Sequence, residues 1–129
     1  MQFKISSLVL LMAVAFAANA EVSLTEKDLL GAWKINKEAI NKEGTDAKTL
    51  NSVWTFRNDG TMEGVSNDTN AHARVSEIRA TVKYSIEEGK LVKQASPGRS
   101  KFETCTAIEK NGNDLLLECN HIFFFMTKK

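Results

Sequence analysis

The chain has 129 residues, with 17 Lys and Arg against 16 Asp and Glu, two cysteines, two histidines and one proline. Near-neutral charge with both signs interspersed excludes a basic nucleic-acid-binding stripe and reads as an ordinary solvated surface. The length allows one modest core and excludes a pair of independent domains.

Residues 1–20 read "MQFKISSLVLLMAVAFAANA", with Lys4 near the start, an uncharged run from Ile5 to Ala18, and a small-x-small ending at Ala18-Asn19-Ala20. This pattern predicts a secretory signal peptide cleaved after Ala20. Its apolar run of about fourteen residues falls short of the roughly twenty that cross a bilayer. Glu21 stands where a lipidated chain would need a cysteine. The expected mature domain is residues 21–129, periplasmic or secreted and without a membrane anchor.

From there the chain alternates with period two nearly throughout, which predicts an all-β domain. "SLTEKDLL" is the one helical segment, capped by Thr25 with Asp28 three residues on, and apolar at Leu24, Leu29 and Leu30. A first strand follows over about residues 32–39, with Trp33 and Ile35 on one face. "NKEGTDAK" is a polar connection. In "SVWTFRNDGTMEGV", Trp54 and Phe56 share a face, Asn58-Asp59-Gly60 turns the chain, and Met62 returns on the partner strand.

"SNDTNAHA" reads as a loop that carries His72 on the surface. Ile78, Ala80, Val82, Tyr84 and Ile86 form the longest alternating row, and Glu88-Gly89 turns it into "KLVKQA". "ASPGRS" is a loop. A strand over 102–109 turns at Asn111-Gly112-Asn113 into "DLLLEC", and a corner at Asn120-His121 separates this from the final "HIFFFMTKK". One unbroken strand across that corner would be too long. The total is about eight short antiparallel strands in an up-and-down meander. Closure into a barrel would protect the apolar "IFFFM" run from edge pairing.

If Lys110 and Asp114 flank a three-residue turn, Cys105 falls opposite Cys119, with Ala107, Leu115 and Leu117 on the same face. Opposed Cα atoms lie about 4.5–5.5 Å apart, within disulfide reach. In an exported chain with two cysteines, a structural disulfide is the expected outcome. Thirteen intervening residues are not a Cys-x-x-Cys redox motif, and only His121 offers a further ligand nearby, so no metal or other cofactor is expected. With two histidines, no Gly-x-Ser-x-Gly elbow and no free Cys–His pair, no catalytic site is expected either.

A short helical lead-in, "LLGAWKI" and then "WTFRNDGTMEG" together resemble the lipocalin-like superfamily, most closely its small bacterial lipocalin-like domains. The resemblance implies that Trp33 packs across the closed end of the barrel beneath the helix, while Gly31 lets the backbone pass close by. An indole can fill such a taper and still find a partner for its N–H. The chain departs from larger lipocalins in its shortness and in having no arginine near the final strand. "DGTMEG" is also similar to avidin-like barrels, but no later tryptophans follow Trp54.

An eight-stranded barrel is either filled by side chains or holds one small ligand. Trp54, Phe56, Met62 and Tyr84 are the residues expected to line a cavity, or else to form the core. The expected function is therefore binding of a small apolar ligand. The alternative is a protein-binding module of inhibitor or immunity type, with a filled core and with "SNDTNAHA" and "ASPGRSK" as contact loops.

Overall fold

The computed structural model of the chain describes residues 22–67 and 77–129. The leader, His72 and most of the "SNDTNAHA" stretch lie outside the described residues. Among the described residues, eight strands follow one short helix: α1 (Glu26–Leu29), β1 (Gly31–Ala39), β2 (Lys48–Phe56), β3 (Thr61–Asn67), β4 (Glu77–Glu87), β5 (Lys90–Gln94), β6 (Phe102–Asn111), β7 (Asp114–Cys119) and β8 (Ile122–Lys128). Each strand pairs antiparallel with the next, and β1 also pairs with β8, so the sheet is a closed barrel. Closure leaves the "IFFFM" run hydrogen-bonded on both sides, by β7 and β1.

The turns follow their residues. Glu88 and Gly89 both have positive φ, as do Asn120 and His121, the backbone that two-residue hairpin loops require. The corner expected at Asn120-His121 is such a loop. Met62 returns opposite Phe56 after the Asn58-Asp59-Gly60 turn.

The β6–β7 turn differs from the three-residue one expected. Asn111 pairs with Asp114, so the turn is two residues, Gly112-Asn113. A bulge between Ala107 and Glu109 inserts one residue into β6 and shifts the register back, so Cys105 still faces Cys119. The sulfurs are bonded and the Cα atoms are 4.3 Å apart. A second bulge interrupts β1 between Ile35 and Lys37.

One end of the barrel is closed by α1. Thr25 and Asp28 form a reciprocal capping box, and Leu24 and Leu29 are buried beneath it. Trp33 lies under the helix, and its indole N–H donates to the carbonyl oxygen of Leu29 at 2.8 Å. That bond satisfies one of the carbonyls a helix leaves open at its C-terminus. The Nζ of Lys128, near the end of the last strand, sits 5.5 Å from the Trp33 ring.

Gly31 is explained by conformation rather than by close passage of the backbone. Its φ is +110°, and a Cβ there would meet nothing nearer than the Lys128 Cε at 3.6 Å. Close approach occurs instead at Gly89, where an added Cβ would fall 2.3 Å from the Ser23 Oγ. The lead-in segment is held against that turn by the Leu24 N–H, which donates to the Gly89 carbonyl at 2.8 Å.

Candidate functional site

Antiparallel order places the starts of β2, β4, β6 and β8 and the ends of β1, β3, β5 and β7 at the end of the barrel opposite the helix. The two ends differ in what fills them. Toward the helix, Phe56 and Tyr84 meet edge to face with centroids 5.1 Å apart, and Met62 is buried beside Phe56's strand position. The Tyr84 hydroxyl donates to the Arg57 carbonyl at 2.7 Å, and burial raises its pKa above the ordinary phenol value. Phe56, Met62 and Tyr84 thus belong to the packed core.

Trp54 differs from those three. It is half-buried at the open side of that core, 5.1 Å from the Phe124 ring, with Gly64 paired across from it on β3. An added Cβ on Gly64 would lie 3.6 Å from the indole, in ordinary van der Waals contact with it. The neighbouring inward positions, Ser52 and Ser66, share a hydrogen bond of 2.8 Å between their hydroxyls.

Across the barrel from Trp54 stands an interior ion pair. Lys93 on β5 and Glu103 on β6 are paired positions, and the Lys93 ammonium donates to the Glu103 carboxylate. The same Nζ lies 5.5 Å from the Trp54 ring. The Lys93 side chain is only 10% exposed and that of Glu103 25% exposed. Other ion pairs lie outside: Glu63 bridges Arg57 and Arg79, whose side chains are 43% and 54% exposed. Arg79 holds the Glu63 carboxyl below its ordinary range.

The wall is incomplete beside this pair. Pairing between β4 and β5 runs only from Tyr84 to Glu87, while residues 77–83 of β4 pair with β3 alone. The Gln94 side chain bridges the gap, accepting from the Lys83 N–H at 2.7 Å and donating to the Arg99 carbonyl at 2.9 Å. A cleft of about 450 Å³ opens at the same end, lined by Leu50, Asn51, Ser52, Ser66, Asn67 and Ile78 among others. Among the described residues, three large apolar side chains stand exposed around this rim: Ile40 at 76%, Ile78 at 64% and Phe102 at 48%.

A second cleft, of about 400 Å³, lies on the outer wall by the two bulges. Three of its polar groups are joined, Asn36 to Thr127 and Thr127 to Asp114, at 2.9 Å each.

Glu103, Cys105 and Cys119 bring their ligand atoms within 4.8 Å of one another, but both sulfurs are committed to the disulfide. His121 is not brought to them. Its side chain is 92% exposed, and its nearest acidic partner is Glu118 at 3.9 Å.

Lys93 and Glu103 carry a signal that the sequence reading passed over. Lys93 is two residues after Leu91 and Glu103 two before Cys105, so both fall on the inward parity of their strands. A charged residue in a buried row is the informative exception.

A family model described as a lipocalin-like domain matches residues 29–117. A solved structure of a lipocalin-like protein from Bacteroides uniformis superposes with a TM-score of 0.60 at 13% identity, covering 79% of this chain and 99% of that one. No curated protein sequence matches.

Proposed function

The chain belongs to the lipocalin-like domain family, and on that footing we propose that it is an exported binding protein that takes a small apolar ligand at the open end of its barrel. The observation that carries this reading is Trp54. Of the four residues expected to line a cavity, it alone is half-buried, while Phe56, Met62 and Tyr84 are packed into the core. The rim cleft is lined in part by Ser52, two residues from Trp54 on the same face of β2. Its volume falls within the range of small-molecule pockets.

Export is supported by the leader pattern of residues 1–20 and by the buried Cys105–Cys119 disulfide, which suits an oxidising compartment. No helix among the described residues is long and apolar enough to cross a membrane.

The test is a fluorescence titration of the mature protein with decanol, retinol and haemin. A change in emission that disappears in Trp54→Phe supports the reading, and a flat response to all three removes it. The competing reading, a protein-binding module, draws on the exposed Ile40, Ile78 and Phe102 at the rim. Replacing Ile40 and Phe102, which do not line that cleft, with serine would leave small-molecule binding to Trp54 largely intact but abolish capture of a protein partner.

A further inference from the structure

We propose that Lys93 is the anchor for a carboxylate headgroup, and that the Glu103 carboxylate holds the seat which the ligand's own carboxylate takes. The ligand is then a single-chain amphiphile with an apolar tail and one carboxylate. This rests on the open-end binding reading above and adds the ligand's chemistry to it.

The first argument is energetic. Removing two charges from water costs several kcal/mol per ion before their attraction repays it, and an apolar pair of similar volume is often as stable or more so. Lys93 and Glu103 sit at inward positions next to Leu91 and Cys105, both fully buried. Leucine or valine at those positions would satisfy the fold. The charges therefore call for a reason other than stability.

The second argument is the asymmetry of the pair. Lys93 is the more deeply buried partner and is held twice, by the Glu103 carboxylate and by the face of Trp54. Glu103 is more exposed and is the second residue of β6, beside the exposed Phe102. Among the described hydrogen bonds its carboxylate has Lys93 as its single partner. Glu103 can rotate toward solvent with the loss of one contact, whereas the ammonium would lose two. The exchange the geometry favours is one carboxylate for another on a fixed ammonium, which has three N–H donors.

The remaining features suit the tail. Trp54 and Phe124 form an aromatic wall beside the ammonium, and the β4–β5 ladder ends at Tyr84–Lys93, beyond which the Gln94 side chain links the two strands. Leu50 and Ile78 line the cleft at the rim. An ammonium-headed ligand would instead have to expel Lys93, the better-held partner.

The experiment compares decanoate, decanol and decylammonium, matched in chain length, by Trp54 fluorescence on the full mature protein near neutral pH. Decanoate should bind about tenfold more tightly than decanol, the equivalent of one charge-assisted hydrogen bond. Lys93→Met should bring decanoate down to the affinity of decanol in the same variant. Glu103→Gln should tighten decanoate binding several-fold, because the competing charge is gone, and this holds as a test even if Lys93→Met fails to fold. Equal binding of decanoate and decanol, a preference for decylammonium, or weaker decanoate binding in Glu103→Gln would overturn the seat while leaving open-end binding of apolar ligands intact. Failure of all three probes to bind the folded protein would overturn both.

Discussion

The Trp33 indole N–H and the Leu29 carbonyl, 2.8 Å apart and buried, tie the first strand of the barrel to the helix that closes it. The bond joins residues four apart, so a local contact seals an end that eight strands converge on. Trp33→Phe keeps an aromatic ring but leaves the Leu29 oxygen unsatisfied and part of the volume empty. The expected loss is about 2–4 kcal/mol in urea unfolding. Lys128→Ala, which removes only the cation over the ring, should cost under about 1 kcal/mol. A Trp33→Phe variant as stable as wild type would refute this account of the closed end.

Gly89 and Gly60 both have positive φ, +78° and +85°, but their surroundings differ. A Cβ at Gly89 would collide with Ser23, while at Gly60 it would meet only the Tyr84 carbonyl at 3.8 Å. Gly60→Ala should show backbone strain alone, about 1–2 kcal/mol. Gly89→Ala should cost clearly more and detach the lead-in segment, read as faster hydrogen exchange at the Leu24 amide. Equal melting temperatures for the two variants would contradict the close approach of Ser23.

The disulfide joins neighbouring strands across a 14-residue separation. Replacing Cys105 and Cys119 together by alanine should lower stability by about 2–4 kcal/mol while the barrel's β-type circular dichroism is retained. Reduction of the wild type should reproduce that change. If the oxidised and reduced proteins unfold at the same denaturant concentration, the bridge has no structural role.

Asp28 links helix capping to pH. Its hydrogen bonds with the backbone and side chain of Thr25 lower its carboxyl pKa below the ordinary aspartate value. A group depressed in the folded state contributes stability above its unfolded pKa, and that contribution disappears as pH falls through the folded value. The capping contribution should therefore be complete above about pH 5 and fade below about pH 4. Asp28→Asn should be less stable than wild type near neutrality and converge on it in acid. Parallel stability curves across that window would exclude the carboxylate as the cause.

Lys93 and Glu103 predict a separation of stability from binding. Lys93→Met alone leaves a partly buried carboxylate unpaired and should destabilise the protein. Lys93→Met with Glu103→Leu should return stability to the wild-type value or above it. A double variant markedly weaker than wild type in chemical denaturation would make the pair a structural necessity.

Much of the architecture was legible in local patterns. The capping box at Thr25 and Asp28, the alternation through Val82, Tyr84 and Ile86, and the corner at Asn120-His121 depend on residues a few positions apart, whose geometry the backbone itself dictates. The facing of Cys105 and Cys119 was also within reach, though two compensating shifts, a shorter turn and the Ile108 bulge, produced it. A bulge leaves no clear mark in alternation this short.

Alternation by itself determined which side chains turn inward, because successive residues of a pleated strand point to opposite faces. It could not determine how far along the barrel each lies, or which distant strands look at one another. Only closure of β1 onto β8, with the stagger it imposes, set Trp54 of β2 against Phe124 of β8 and beneath the ammonium of Lys93 on β5. That closure also sent Phe56, Met62 and Tyr84 into the filled core and left Trp54 half-buried on the open side of it. The difference is physical: facing is a property of the local backbone, whereas depth and cross-barrel contact depend on the shape that all eight strands adopt together.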